Sequence, residues 1–353
     1  MVDPHGERRS AVAPPNTVSR VDGPDRDLLD LVRERCAHVA SSASLVTVDL
    51  DRIAAYAATL AAPDDGAPAT DPWAAPPPTV AGEGDPADLD ERRVALVVAL
   101  DAVNFGSGYH PHVAKLGGLS GARTMAARLR AWADEQGGIR AEALVGLDRA
   151  DAHRIFGQPE TPAMIELMAC FATALDDLGR FVAEQHGGSF VALVGTADRS
   201  AARLVEILAA RPTYADVSSY RGFDVPFLKR AQITAADLHR AFAGRGPGAF
   251  DDLDRLTAFA DNLVPHVLRV DGVLRVDPEL AATIERGELL VHGDEPEVEL
   301  RAGGVHAVEL LRDATTELGT PMTAATIDQV LWERGGDARY KAIPRSRART
   351  TAY

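Results

Sequence analysis

Apolar residues recur at helical spacing along most of the chain, and this pattern predicts a mostly α protein. Where apolar positions repeat every three or four residues they lie along one face of a helix, which can then pack on a core. A nearly continuous apolar run at residues 94–105 indicates a buried helix, because a membrane span needs roughly 18 such residues. Leu45-Val46-Thr47-Val48 is a short β-like run. Further helices are predicted within residues 27–39, 51–61, 120–137, 148–156, 162–185 and 200–210.

The stretch from Phe227 to Leu268 holds the first candidate for chemistry. Its first half predicts an amphipathic helix with one apolar stripe. Lys229 lies on the other side of that helix, where its neighbours are Gln232, Ile233 and Ala236. These residues are small or uncharged, so this face is too apolar to be simply solvent-facing. The apolar stripe consists of Leu228, Ala231, Ala235, Leu238 and Phe242.

The second half of this stretch places a carboxylate beside a proline. Apolar spacing over residues 253–263 predicts another helix, which Pro265 interrupts. Proline cannot bond the carbonyl four residues back and its ring crowds that group, which here belongs to Asp261. A backbone irregularity beside an ionisable side chain is typical of a functional site, and a solvated Asp at a helix end is the alternative.

Three ordered motifs lie in the second half of the chain. They are Lys229-Arg230-Ala231-Gln232-Ile233 with Ala236-Asp237-Leu238, Leu256-Thr257-Ala258-Phe259-Ala260-Asp261 with Val264-Pro265, and Glu297-Val298-Glu299-Leu300-Arg301-Ala302. They are similar to those of the queuosine salvage proteins, the queuosine 5'-phosphate N-glycosylases that release queuine, and the similarity runs from about Leu28 to Tyr353. It implies a single compact helical domain with a few short strands, like the helical DNA glycosylases, and a hydrolase without metal or organic cofactor.

Net charge and cysteine content limit the classes of ligand that the protein is expected to bind. A formal net charge of -15 opposes binding to a long nucleic acid, which relies on Lys and Arg, and favours a small nucleotide substrate. Cys36 and Cys170 lack disulfide or zinc spacing, and no metal site is predicted. Neither a secretory signal nor a membrane span is recognised, so we expect a cytoplasmic protein. A monomer and an oligomer are both compatible with this sequence.

Two segments have the composition of irregular structure. Residues 1–24 are polar and rich in Pro, Gly and Arg, which predicts a disordered tail ahead of a domain at 25–353. Residues 62–90 are dominated by Ala, Pro, Asp and Gly and predict an extended surface insert. Trp73 within it is interpreted as an anchor for the insert, with a pocket rim as the alternative.

A glycine-containing loop follows the apolar run. Asn104 offers a donor and an acceptor, and Gly106 can let backbone approach a ligand, although a helix-ending turn explains the glycines equally well. Phe105 and Tyr109 are candidates to stack on a base. In the resembled family Asn-Phe is usually followed by further aromatics, which Gly106 and Gly108 replace here. His110 and His112 have a metal-like spacing but are interpreted as loop residues.

The last hundred residues add an acidic–basic pattern. Alternating apolar and charged residues up to Arg301 predict a strand, with Glu299 and Arg301 as a structural pair. The basic segment near the end predicts a phosphate site at Arg347, with a solvated tail as the alternative. Tyr353 joins the predicted site through the resemblance, since the family has a similar Tyr-terminated basic segment, usually with His where Ser346 stands.

The resemblance suggests a chemical scheme for these residues. Breaking an N-glycosidic bond develops positive charge on the sugar, so a carboxylate near the anomeric carbon and a water are needed. Asp261 is the candidate carboxylate and Lys229 the cation that keeps it ionised. Queuine is a 7-deazaguanine, so hydrogen bonds from Asn104 and Asp237 replace protonation of the missing ring nitrogen. A helix-surface carboxylate is the alternative for Asp237.

Other functions remain as hypotheses beside this scheme. The chain could bind a modified nucleotide without cleaving it, or act on another deazapurine nucleotide. A glycosylase that flips a base from DNA or tRNA suits a helical fold, but the acidic balance opposes it.

Overall fold

The predicted apolar stripes form helices that share one continuous hydrophobic core. The computed structural model describes residues 27–60 and 85–353. Within these residues helices dominate and strands are few, so the mostly α prediction is confirmed. The predicted tail at 1–24, most of the predicted insert at 62–90 and Trp73 lie outside the described residues. Residues 86–90, assigned to the insert, instead form the first turn of a helix that Asp85 caps through the Ala87 N–H.

The helices of the described residues include all six that were predicted from 27–39 to 200–210, with ends that differ by a few residues, and several that were not predicted. They are α1 (Leu28–Ser42), α2 (Leu50–Ala57), α3 (Pro86–Ala102), α4 (Gly121–Glu135), α5 (Ala141–Leu144), α6 (Arg149–Phe156), α7 (Pro162–Gln185), α8 (Phe190–Gly195), α9 (Ala201–Ala209), α10 (Lys229–Ala241), α11 (Leu263–Val270), α12 (Pro278–Glu285), α13 (Glu295–Glu317), α14 (Ala324–Arg334) and α15 (Ala338–Lys341). Among them none combines the length and apolar character needed to cross a membrane. Short 3-10 turns occupy Ser107–His112, Gly246–Gly248 and Leu253–Arg255.

Two small antiparallel sheets brace the helices. β1 (Val46–Val48), the predicted β-like run, pairs with β4 (Leu274–Val276). β2 (Val217–Tyr220) and β3 (Phe223–Pro226) form a hairpin. Its two turn residues, Arg221 and Gly222, both have positive φ, as the tight turns that match strand twist require.

The strand predicted up to Arg301 is wrong, because these residues form the start of α13. Alternation misled the interpretation since the charged residues are as buried as the apolar ones. The predicted pair of Glu299 with Arg301 is also wrong. Glu299 instead accepts hydrogen bonds from the backbone N–H groups of residues 44–46 and from the Tyr220 hydroxyl. A carboxylate with this many donors can be buried at low cost.

The expected proline-broken helix around Asp261 also differs from the structure. Residues 256–262 are not helical, and α11 begins only at Leu263. Pro265 lies in its first turn, where the N–H groups have no partner within the helix, so proline is tolerated there. Gly304 of α13 allows the close contact with this turn, since a Cβ at that position would lie 2.8 Å from Pro265 Cγ.

Candidate active site

The first turn of α10 is anchored inside the protein and presents Lys229. Leu228 has a left-handed backbone, with φ 55°, and sets the direction of the helix. The Asp216 carboxylate accepts a hydrogen bond of 3.1 Å from the backbone N–H of Lys229, a favourable position for an acid at a helix N-terminus. The Lys229 side chain is buried and its Nζ donates to the Asn104 carbonyl oxygen at 3.0 Å. The helix start thus carries the amine to the loop after α3.

A buried ion pair between Arg301 and Asp216 connects the elements around Lys229 and Asp261. Arg301 of α13 binds both oxygens of Asp216, at 3.0 and 2.7 Å, and its Nε donates to the Ala260 carbonyl at 2.9 Å. The guanidinium lies 3.9 Å from the Phe227 ring centroid and 4.7 Å from that of Tyr353. A planar fork between aromatic faces is an arrangement that Lys cannot reproduce. Arg301 therefore fixes the start of α10 relative to the backbone that precedes Asp261.

Asp261 is half-buried and has its side chain held by backbone. Its Oδ1 accepts hydrogen bonds from the N–H groups of Leu263 at 2.7 Å and Val264 at 3.2 Å, so it caps the first turn of α11. Burial lowers the pKa of Lys229, and the carboxylates of Asp261, Asp101 and Asp237 oppose that shift. Asp261 is the strongest of the three influences, so the predicted acid and amine share one electrostatic environment.

Two further acids belong to this cluster and were not selected from sequence. Asp101, in the last turn of α3, and Asp328, in α14, are both buried. Burial raises the pKa of Asp101 well above its usual range, and Asp237 adds to the effect. Burial also raises the pKa of Asp328, with a further contribution from Asp261. Asp101 was detectable as the only charged residue in the run 94–105, whereas the local sequence of Asp328 carries no such signal.

Asp237 and Phe105 have buried side chains. Asp237 is only 2% exposed and forms an ion pair with Arg240, so the alternative of a helix-surface carboxylate is wrong. The Phe105 ring packs edge-on against Phe171 at 5.0 Å and lies beneath the Arg230 guanidinium at 4.9 Å. These contacts make Phe105 part of the wall behind the loop, and its stacking on a base stays a prediction.

The predicted phosphate-binding segment docks against the loop after α3. The Gly106 N–H donates to the Tyr353 carbonyl at 2.8 Å, and the Leu290 N–H donates to that of Arg347 at 2.8 Å. Asn262, next to Asp261, donates to the Ser346 carbonyl at 2.6 Å. Residues 344–353, here called the C-terminal segment, therefore bring Arg347 and Tyr353 beside the Asp261 turn.

The same segment forms a basic environment around His110. Burial lowers the pKa of His110 to about 3, and Arg345, Lys115, Lys229 and Arg347 add to the shift. Burial also lowers the pKa of Arg345, which Asp261 opposes. His110 is thus an uncharged group among cations. The Tyr109 ring lies 5.3 Å from the Arg349 guanidinium. In the described part of the chain no group of three or more His, Cys, Asp and Glu side chains is placed to hold a metal ion.

The two loop glycines have different structural reasons. Gly106 has φ 93°, and a Cβ there would lie 2.7 Å from Leu167 Cδ1. At Gly108 a Cβ would lie 2.3 Å from the Ala348 carbonyl oxygen, which is backbone and cannot rotate away. Gly108 therefore allows the close approach of the Ala348 backbone, whereas Gly106 supplies the positive φ of the turn and the space for Leu167.

Gly108→Ala is expected to displace the C-terminal segment. Because the clash is with backbone, we expect a loss of about 1–3 kcal/mol in the free energy of unfolding and faster proteolysis after residue 343. Thermal unfolding and limited proteolysis with mass analysis measure both. Gly117→Ala is the matched control, since nothing lies within 4 Å of its added Cβ. Equal behaviour of the two variants would contradict the docking.

Comparisons with known proteins agree with the motif resemblance. The family model described as "Queuosine salvage protein" matches residues 85–353, which include every predicted site residue. The chain belongs to the queuosine salvage protein family. A relative named "Queuosine 5'-phosphate N-glycosylase/hydrolase" from Sphaerobacter thermophilus is 37% identical over 322 residues, covering 89% of this chain and 95% of the relative. Another of the same name from Bos taurus is 32% identical over 288 residues, covering 77% of this chain and 84% of the relative.

Proposed function

We propose that this member of the queuosine salvage family hydrolyses the N-glycosidic bond of queuosine 5'-phosphate, releasing queuine and ribose 5-phosphate. Its relatives carry the name of that N-glycosyl hydrolase, and the chain is an enzyme of this class. The observation that carries the proposal is the position of Asp261, a half-buried carboxylate in the electrostatic environment of Lys229.

Asp261 is the proposed catalytic carboxylate. Its Oδ1 is occupied by two backbone N–H groups, so Oδ2 is the oxygen that faces the sugar in this scheme. As the bond between C1' and the base nitrogen breaks, its electron pair leaves with the base and positive charge develops on the sugar. Asp261 stabilises that charge and accepts a proton from the water that attacks C1'. Lys229 is proposed to supply the positive charge next to this carboxylate.

The base and the 5'-phosphate of the substrate are proposed to bind on opposite sides of Asp261. Asn104 and Asp237 are proposed to hydrogen-bond the base edge, with Tyr109 or Phe105 beside its ring. The loop backbone at Gly106 forms the adjoining wall. Arg347 is proposed to bind the 5'-phosphate, since a guanidinium fork matches a phosphate monoester. Tyr353 closes the site next to the Arg301 guanidinium.

Incubation with queuosine 5'-phosphate, queuosine and guanosine 5'-phosphate tests the substrate. We expect queuine, identified by mass, from queuosine 5'-phosphate and much less from the other two. Arg347→Gln should raise KM for the nucleotide by about 10- to 100-fold, because it removes a charge-assisted contact with the phosphate. Binding of the nucleotide without release of any base would favour the alternative of a sequestering protein.

Arg349→Gln is the matched control for the phosphate contact. Arg349 lies in the same segment, but its guanidinium binds the Glu166 carboxylate at 3.1 Å. We expect KM for queuosine 5'-phosphate to stay near the wild-type value in this variant. A KM that rises equally in both variants would assign the effect to the fold of the segment and not to a phosphate contact.

A further inference from the structure

Asp101 is a buried acid that the proposed mechanism does not use. Its side chain is fully excluded from solvent at the end of α3. Oδ1 accepts a long hydrogen bond of 3.4 Å from the Asn104 side-chain amide. Oδ2 is buried and has no hydrogen-bond partner among the described residues. A carboxylate anion with a bare buried oxygen is costly, whereas a protonated acid in the same place is much less so.

The charges around Asp101 also oppose its ionisation. Asp237 on α10 is the strongest of its neighbours in raising the pKa, while Lys229, Asn104 and Arg240 lower it but do not cancel the effect of burial. Asp237 is paired with Arg240, and the Lys229 Nζ donates to the Asn104 carbonyl. Tyr214 and Arg230 also interact electrostatically with Asp101.

We propose that Asp101 is a positioning residue that acts as an uncharged carboxylic acid, orienting the Asn104 amide and keeping the Lys229 ammonium directed at the Asn104 carbonyl and Asp261. The catalytic part of this inference rests on the proposed function. An ionised Asp101 attracts the ammonium towards α3 and adds a negative charge beside Asp237. The opposing hypothesis is that Asp101 is an ionised partner of Lys229.

Asp101→Asn and Asp101→Ala separate these roles by kcat against pH. Asp101→Ala should lower kcat by about 10- to 100-fold, because Asn104 is then misplaced. Asp101→Asn keeps an uncharged group of the same shape, so its kcat should stay close to that of the wild type. Asn cannot ionise, so the alkaline limb of the profile should move to higher pH. An ionised Asp101 predicts the opposite, because removing its charge makes Lys229 easier to deprotonate. The proposal is overturned if Asp101→Asn lowers kcat as much as Asp101→Ala and moves the alkaline limb of the profile to lower pH.

Thermal unfolding gives a second readout that needs no activity. The unfolded chain releases the Asp101 proton near a pKa of about 3.9, whereas the folded protein retains it to higher pH. The wild type therefore loses stability as pH rises between these two values, and Asp101→Asn does not. We expect the Tm of Asp101→Asn minus that of the wild type to grow from pH 5 to pH 8, and a constant difference overturns the proposal.

Asp88→Asn is the matched control, since Asp88 lies at an exposed position in the first turn of α3. The Tm of this variant minus that of the wild type should stay constant from pH 5 to pH 8. Wild-type enzyme assayed with queuosine 5'-phosphate separates the two claims. Failure to release queuine at any pH removes the proposed function, while the Tm series still decides the state of Asp101.

Discussion

Replacing Asp261 by Asn is expected to lower kcat for queuine release by about 10²- to 10⁴-fold, the range for loss of a positioned general base. The side chain of Asn still offers an oxygen to the Leu263 and Val264 N–H groups, so the cap of α11 is kept and the charge alone is removed. In the proposed mechanism the cationic sugar then lacks its counter-charge and the attacking water lacks its base. Initial rates of queuine release, followed by mass or absorbance, measure the loss.

Asp277→Asn is the matched control for this substitution. Asp277 caps α12 in the same way, with its Oδ1 accepting from the N–H groups of Glu279 and Leu280. It should retain wild-type kcat, because it is not part of the site.

Asp261→Asn should still bind queuine, as measured by calorimetry. Turnover at the wild-type rate in that variant would remove Asp261 from the mechanism.

Arg301→Ala is expected to cause the largest loss of stability. The Asp216 carboxylate is buried and would be left without its bidentate partner, and breaking a buried ion pair in this way costs about 3–5 kcal/mol. The loss also releases the Ala260 carbonyl and one aromatic contact with Tyr353. Denaturant unfolding curves measure the change, and kcat should fall with it because the anchors of Lys229 and Asp261 are lost together.

Arg286→Ala is the comparison for a solvent-exposed ion pair. Arg286 binds Glu288 at the surface, so its removal should leave the unfolding midpoint at the wild-type value. The double variant Asp216→Leu/Arg301→Met should be more stable than Arg301→Ala, since the buried Asp216 charge is removed together with its bidentate partner. An Arg301→Ala protein as stable as Arg286→Ala would contradict the anchoring role.

Local patterns predicted the helices well and the irregular joints poorly. The stripe from Leu228 to Phe242 predicted α10, and Lys229 was correctly separated from that stripe. By contrast, the alternation of apolar and charged residues up to Arg301 predicted a strand, because a sequence does not show that each charged residue has a buried partner. The same limit applies to Pro265, whose place in a first turn depends on where α11 begins.

The sequence by itself determined the helical class, the family motifs and the choice of Asp261 and Lys229, because these depend on residue spacing within one segment. Only the tertiary structure decided that Asp216 is the partner of Arg301 and that Asp101 and Asp328 share the electrostatic environment of Lys229 and Asp261. It also showed that Gly108 makes room for the Ala348 carbonyl. Those contacts join segments far apart in the chain, and their existence depends on burial and charge compensation that arise when the helices pack.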